Sequence, residues 1–323
     1  MSKPYRILSL DGGGIRGLIT AIWLKRLQAK LDKPLYKYFD LIAGTSAGAL
    51  TVSGISKGIS IDKIIELYLK RGKEIFPSTA SRLWSRATRL FSDGVSAPKY
   101  DGEGLEKVLK DTFKTTIFGS LKIKPTLITA YDVFGREAIV LKNNQSEYRS
   151  LKVWEICKAS ASAPTYFPAH MMEIKGVEMP LIDGGVVANN PTACAIAEAV
   201  KINTQSNKNP STDNLLVASF GTGESIRRIT AEEADEWGAA EWAIPIINVL
   251  FDGSADSVNY IATQLIHPDR YFRFQTHLSD AYDDLDNADE TNLKALQRLA
   301  VQYIDSNEEK KKLDNLVAKL TGN

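Results

Sequence analysis

The chain has 323 residues, 44% of them hydrophobic and 24% charged, with a formal net charge of +1. This is the balance of a globular protein with a full core, and it gives no global reason to expect a nucleic-acid polymer as partner. The two cysteines, Cys157 and Cys194, form no metal-like cluster, no run of 18 residues is free of polar groups, and the opening residues carry no apolar signal-like stretch. A metal site, a spanning helix and secretion are therefore not expected, and the expected location is cytoplasmic.

In chain order, residues 5–10 read as a buried strand, and IRGLITAIWLKRLQAKL as a helix with Leu18, Ile22, Leu24, Leu27 and Leu31 at roughly helical spacing. A short strand, a Gly-rich turn and a small-residue helix ended near Gly58 follow, then a helix capped by Ser60 and reaching about Lys73. Residues 77–99 are less regular. Next come a helix over 101–114, strands at PTLITAYD and EAIVLKN, a helix around 152–161, a hairpin over 171–182, a helix over 190–203 and the buried strand NLLVASF. From about residue 231 the chain reads as mostly helical. Strands alternating with helices predict an α/β fold with a mostly parallel central sheet flanked by helices. No linker is evident. Residues 1–225 are expected to form the core and 226–323 a helical C-terminal extension packed on it, within one structural domain.

The stretch DGGGIRG (11–17) places Gly12, Gly14 and Gly17 as G-x-G-x-x-G, the pattern of a dinucleotide cradle. That reading needs an acid at the end of the second strand to hold a ribose. Asp32 lies at the tail of the first helix and Asp40 precedes the second strand, so neither fits. In the acid's place stands GTSAG (44–48), a G-x-S-x-G nucleophile-elbow pattern between a strand and a helix. Gly44 and Gly48 leave room for a sharp turn that lifts the Ser46 hydroxyl clear of the sheet.

A serine nucleophile needs a base. Of the three histidines, His170, His267 and His277, none sits in an obvious catalytic loop. The order Ser46, Asp183, His267 nevertheless suits a Ser-His-Asp triad. The other base is Asp183 itself, at the end of MPLID and followed by Gly184 and Gly185. A free aspartate near pKa 3.9 is a poor base in water, but in a dry site coupled to oxyanion stabilisation it can take the proton as the bond forms. On these residues alone a turn aspartate in an Asp-Gly hairpin is the stronger reading of Asp183.

Taken together, DGGGIRG, GTSAG and DGG followed by NNP, with ASASAPTYFP (159–168) and SFGTGE (219–224), resemble the patatin-like phospholipase family over about residues 5–225. The resemblance implies a three-layer α/β/α fold and a lipid acyl hydrolase of phospholipase A type. It implies a dyad of Ser46 as nucleophile and Asp183 as base, with no histidine. It implies an oxyanion hole from the N–H groups of Gly12, Gly13 and Gly14, and places Arg16 where an arginine can meet a lipid phosphate. Asn189 and Asn190 are read as fixing the loop after Asp183. No metal or organic cofactor is implied.

The partner expected is a lipid at a membrane surface, met peripherally. SRLWSRATRLFSDG (81–94) interleaves Arg82, Arg86 and Arg89 with Leu83, Trp84, Leu90 and Phe91, as a basic amphipathic helix would. EWAIPIINVLFDG (241–253) is a second apolar candidate. Galactolipid hydrolysis, membrane degradation in phage defence under a cyclic-nucleotide activator, and a homo-oligomer stay open.

Overall fold

The computed structural model describes residues 3–77, 98–205, 211–243, 245–279, 281 and 283–322. The apolar run Tyr5–Leu10 forms β1, buried on both faces as a central parallel strand must be. β1 pairs in parallel with β2 (Leu41–Gly44) on one side, and on the other with the strand Leu215–Phe220. β2 pairs in parallel with β3 (Thr126–Asp132), which is flanked by the antiparallel β4 (Glu137–Lys142). The predicted hairpin is β5 (His170–Ile174) and β6 (Val177–Asp183). With Leu215–Phe220 as β7, the sheet runs β5-β6-β3-β2-β1-β7-β8, and β4 lies off this path.

β8 is Tyr271–Phe274, parallel to β7. It lies in a stretch whose sequence reads as mostly helical. Its four residues are too few to show a period, and Phe272 and Phe274 become legible only once buried beside Phe220, whose ring stacks on Phe274 at 4.6 Å.

Helices cover both faces of the sheet. On one lie α1 (Gly17–Ala29), α2 (Ala47–Lys57), α3 (Ile61–Ile75), α4 (Glu103–Phe113) and α5 (Val153–Ser160). On the other, α6 (Thr192–Gln205) and α7 (Pro245–Leu265) send Ala195, Ile196, Ala199 and Ala262 against Ile7, Leu41, Leu127 and Val217. α8 (Glu290–Ile304) packs on α1, where Trp23 Nε1 donates to Ala300 O at 2.9 Å, and α9 (Asn307–Thr321) follows it. The local signals mark real ends. Gly58 terminates α2 at φ +93°, and the Ser60 hydroxyl caps α3 by accepting from the Lys63 N–H.

The topology brings two strand ends together. β4 occupies one edge of β3 along 127–132, so β2 and β6 share the other edge, β2 opposite 126–128 and β6 opposite 130–132. They run in opposite senses, so Gly44 at the end of β2 and Asp183 at the end of β6 approach each other across Thr129.

Candidate active site

Ser46 stands at the turn from β2 into α2, with φ +54° and ψ −119°, a conformation that costs a non-glycine residue of order 1–3 kcal/mol. Close packing holds it there. A Cβ on Gly48 would lie 2.3 Å from Leu10 O, so only glycine lets α2 begin this near β1. The Thr45 hydroxyl donates to Ala188 O at 2.7 Å and meets the Thr129 hydroxyl at 2.7 Å. The Ser46 N–H donates to Ser160 Oγ at 2.9 Å. The hydroxyl therefore sits at the positive end of the α2 dipole.

Asp183 is fully buried. Its Oδ1 accepts from the Gly185 N–H at 2.7 Å, while Oδ2 accepts no well-formed hydrogen bond among the described residues. Burial pushes its pKa up to about 7; the nearby Ser46 hydroxyl and the Gly185 N–H pull against that rise. The carboxyl thus changes charge near neutrality, where a free aspartate would be fully ionised.

The glycine loop leaves β1 beside Ser46, and a Cβ on Gly12 would lie 3.2 Å from the Ser46 Cβ. Gly14 has φ +55°, and a Cβ there would meet Leu285 O at 2.1 Å. The three N–H groups are not equivalent. That of Gly12 donates to Asn189 O at 3.0 Å and is committed, whereas those of Gly13 and Gly14 have no protein acceptor among the described residues. The sequence expectation of three donors therefore reduces to two.

The loop is pinned from both sides. Thr222 Oγ1 donates to Gly12 O at 2.8 Å, and Asp11 takes a bidentate pair from Arg273 at 2.6 and 3.0 Å. Asn189 N–H donates to Ser254 Oγ, and Asn190 Oδ1 accepts from the Thr192 N–H, so both asparagines fix the chain after Asp183. Sequence reasoning missed Arg273, Thr222 and Ser160. Thr222 and Ser160 lie within the segments SFGTGE and ASASAPTYFP but drew no role there; for Arg273 the signal was the need of a buried Asp11 for a counter-charge, from a partner 262 residues away.

Ser46, Asp183 and Gly14 line a cleft enclosing about 760 Å³ between its walls, open mouth included. The rest of the lining is mainly apolar, with Leu50, Leu105, Leu109, Phe167 and Phe251 among it. A hydroxyl at a helix N-terminus, a carboxyl whose pKa burial pushes up to about 7, and a glycine loop with two uncommitted N–H groups, that of Gly14 on the cleft wall, are the components of acyl transfer to serine.

Several expected residues lie elsewhere. Arg16 is buried off the cleft lining, with Nη1 donating to Asp283 O at 3.3 Å and Asp252, Asp283 and Asp284 supplying opposing charge. Its guanidinium faces the protein's own carboxylates, which corrects its reading as a contact for substrate phosphate. None of the histidines lines the cleft. His267 is exposed and paired with Asp269, His277 is exposed near Glu224, and His170 is half-buried near Trp154 with its pKa pushed down by burial to about 4. Cys157 and Cys194 are free thiols.

Residues 81–94 lie outside the described residues. In 241–253, Ile247 and Phe251 are buried, Ile246 and Leu250 are exposed, and Trp242 stands edge-on to Trp237. Among the described residues no helix is long and apolar enough to cross a membrane.

Residues 8–196 match the family model described as patatin-like phospholipase. Patatin-like protein 2 of Oryza sativa subsp. indica is 30% identical, with 94% of this chain and 85% of that protein covered. Patatin-T5 of Solanum tuberosum is 29% identical over 92% of this chain and 82% of its own. The crystal structure of VipD from Legionella pneumophila aligns at 12% identity with a TM-score of 0.41, covering 94% of this chain and 67% of VipD. A family match spanning more than half of the chain, with relatives aligned along nearly all of it, shows that this protein belongs to the patatin-like phospholipase family.

Proposed function

We propose that this protein is a phospholipase A-type lipid acyl hydrolase that works through Ser46 and Asp183 at a lipid surface. One observation carries the reading: a buried carboxyl with a free oxygen stands beside a strained serine hydroxyl on the wall of an apolar cleft. Asp183 Oδ2 takes the proton as Ser46 Oγ attacks the ester carbonyl carbon. The carbonyl oxygen gains charge facing the N–H groups of Gly13 and Gly14. The ester C–O bond then breaks, and Asp183 returns its proton to the leaving alcohol or lysolipid. Water gives a proton to Asp183 and attacks the acyl-enzyme carbonyl; the acyl–Oγ bond then breaks, Asp183 returns that proton to Ser46 Oγ, and the fatty acid leaves.

The apolar lining suits a hydrocarbon chain. It also excludes the water that would otherwise hold Asp183 at an ordinary pKa. Incubation of phospholipid vesicles with wild type and Ser46→Ala, with products identified by mass, tests the reading. Fatty acid and lysolipid are expected from wild type alone. Equal release by both proteins would refute it.

A further inference from the structure

The segment after α5 reaches both halves of the site. Ser160, its last helical residue, accepts the N–H of Ser46 on Oγ at 2.9 Å. Two residues on, Ser162 O accepts the N–H of Asp183 at 3.0 Å. Both serines are fully buried, and Ala161 between them lines the cleft. The Ser162 hydroxyl makes the usual back-bond to its own helix, at Lys158 O; the hydroxyl of Ser160 makes none among the described residues. Its oxygen serves another segment 114 residues earlier in the chain.

We propose that Ser160 is a positioning residue and that residues 160–162 form a strap that sets the separation of Ser46 from Asp183. This rests on Ser46 and Asp183 being the reacting pair. The Ser46 N–H belongs to the peptide that opens α2, ahead of the helical ladder, and no other protein acceptor serves it among the described residues. The residue adopts φ +54° only while its surroundings hold it there. With the Ser160 oxygen gone, the peptide is free to rotate toward an unstrained conformation, and the hydroxyl turns with it. Asp183 stays fixed by Ser162 O and Gly185 N–H, so the two reacting groups part.

A positioning serine leaves a mark on the pH profile that a purely structural serine does not. Parting Ser46 from Asp183 removes the one side chain that favours the charged carboxylate, so the pH midpoint of activity rises. The other titratable side chains on the cleft wall do not interfere: burial pushes Tyr68 and Cys157 up to about 12, and Tyr166 is pushed up as well.

The test uses the full chain, a soluble short-chain ester and pH 5–9, with wild type, Ser46→Ala, Ser160→Ala and Ser160→Cys. Sulfur accepts hydrogen bonds weakly, so the cysteine fills the space without restoring the bond. Expected for each Ser160 variant are a kcat lower by about 10- to 100-fold, the cost of a misplacement near 1 Å, a KM within about twofold of wild type, and a raised pH midpoint. An unchanged kcat, or a lower kcat with an unmoved midpoint, overturns the proposal; so does failure of both variants to fold, which marks Ser160 as structural. Turnover by Ser46→Ala equal to wild type overturns the reading of the site itself, and is told apart by that variant.

Discussion

Asp183→Asn separates catalysis from stability. The wild-type carboxyl is raised from 3.8 to about 7 by burial. Between those values the unfolded chain has lost this proton while the folded one keeps it, so the contribution of Asp183 to stability falls as pH rises from about 4 to 7 and is level above. About 3 pH units at roughly 1.36 kcal/mol each amount to about 4 kcal/mol at pH 8. Asparagine removes the ionisation and keeps an oxygen for the Gly185 N–H. Asp183→Asn should therefore unfold several degrees above wild type at pH 8, with the gap closing toward pH 4. Hydrolysis should fall by about 10²–10⁴-fold, the usual worth of a positioned base. Wild-type kcat/KM should rise through pH 7 as Asp183 ionises. Thermal unfolding at pH 4.5, 6 and 8 and ester hydrolysis over the same range measure all three effects. An Asp183→Asn protein less stable than wild type at pH 8, or one that keeps its turnover, would refute the reasoning.

Gly14→Ala places a Cβ 2.1 Å from Leu285 O at φ +55°, so the loop must shift; turnover should drop at least about 10²-fold, as for a lost oxyanion donor. Near-wild-type kcat in that variant would remove the loop from the mechanism. Arg273→Met leaves Asp11 buried without its counter-charge and should cost roughly 3–5 kcal/mol in denaturant unfolding, partly recovered in the Asp11→Asn/Arg273→Met double variant. A single variant as stable as wild type contradicts that. His267→Ala should leave kcat within about twofold, since its exposed ring pairs with Asp269 and lies off the cleft; loss of turnover would revive a histidine base.

What was legible in the sequence is what a short stretch of backbone decides for itself. Gly58 ends a helix and Ser60 starts one because each acts within four residues. GTSAG reads as an elbow because the residues that allow the turn flank Ser46 directly. The assignment failed where a role depends on a distant partner. Arg16 sits in a motif but answers to Asp252 and Asp283, and Gly12 gives its N–H to Asn189. β8 exists because β7 offers an edge to a four-residue segment.

The same division explains the charge state of Asp183. Local sequence marks it only as an acid before two glycines, better suited to a hairpin turn. Its pKa comes from burial beneath residues of several elements, with Phe251 of α7 and Ser162 of the strap among its surroundings. A turn aspartate at a solvent-facing hairpin would keep a pKa near 3.9 and serve only as a weak base. Burial moves the proton affinity of this carboxyl into the range that the proposed proton transfers from serine and to a leaving alcohol require. The two-step chemistry proposed for Ser46 thus depends on the apolar wall as much as on the dyad. A polar substitution in that wall, such as Leu105→Asn, should lower the pH midpoint of activity by admitting water to Asp183, without touching either reacting group.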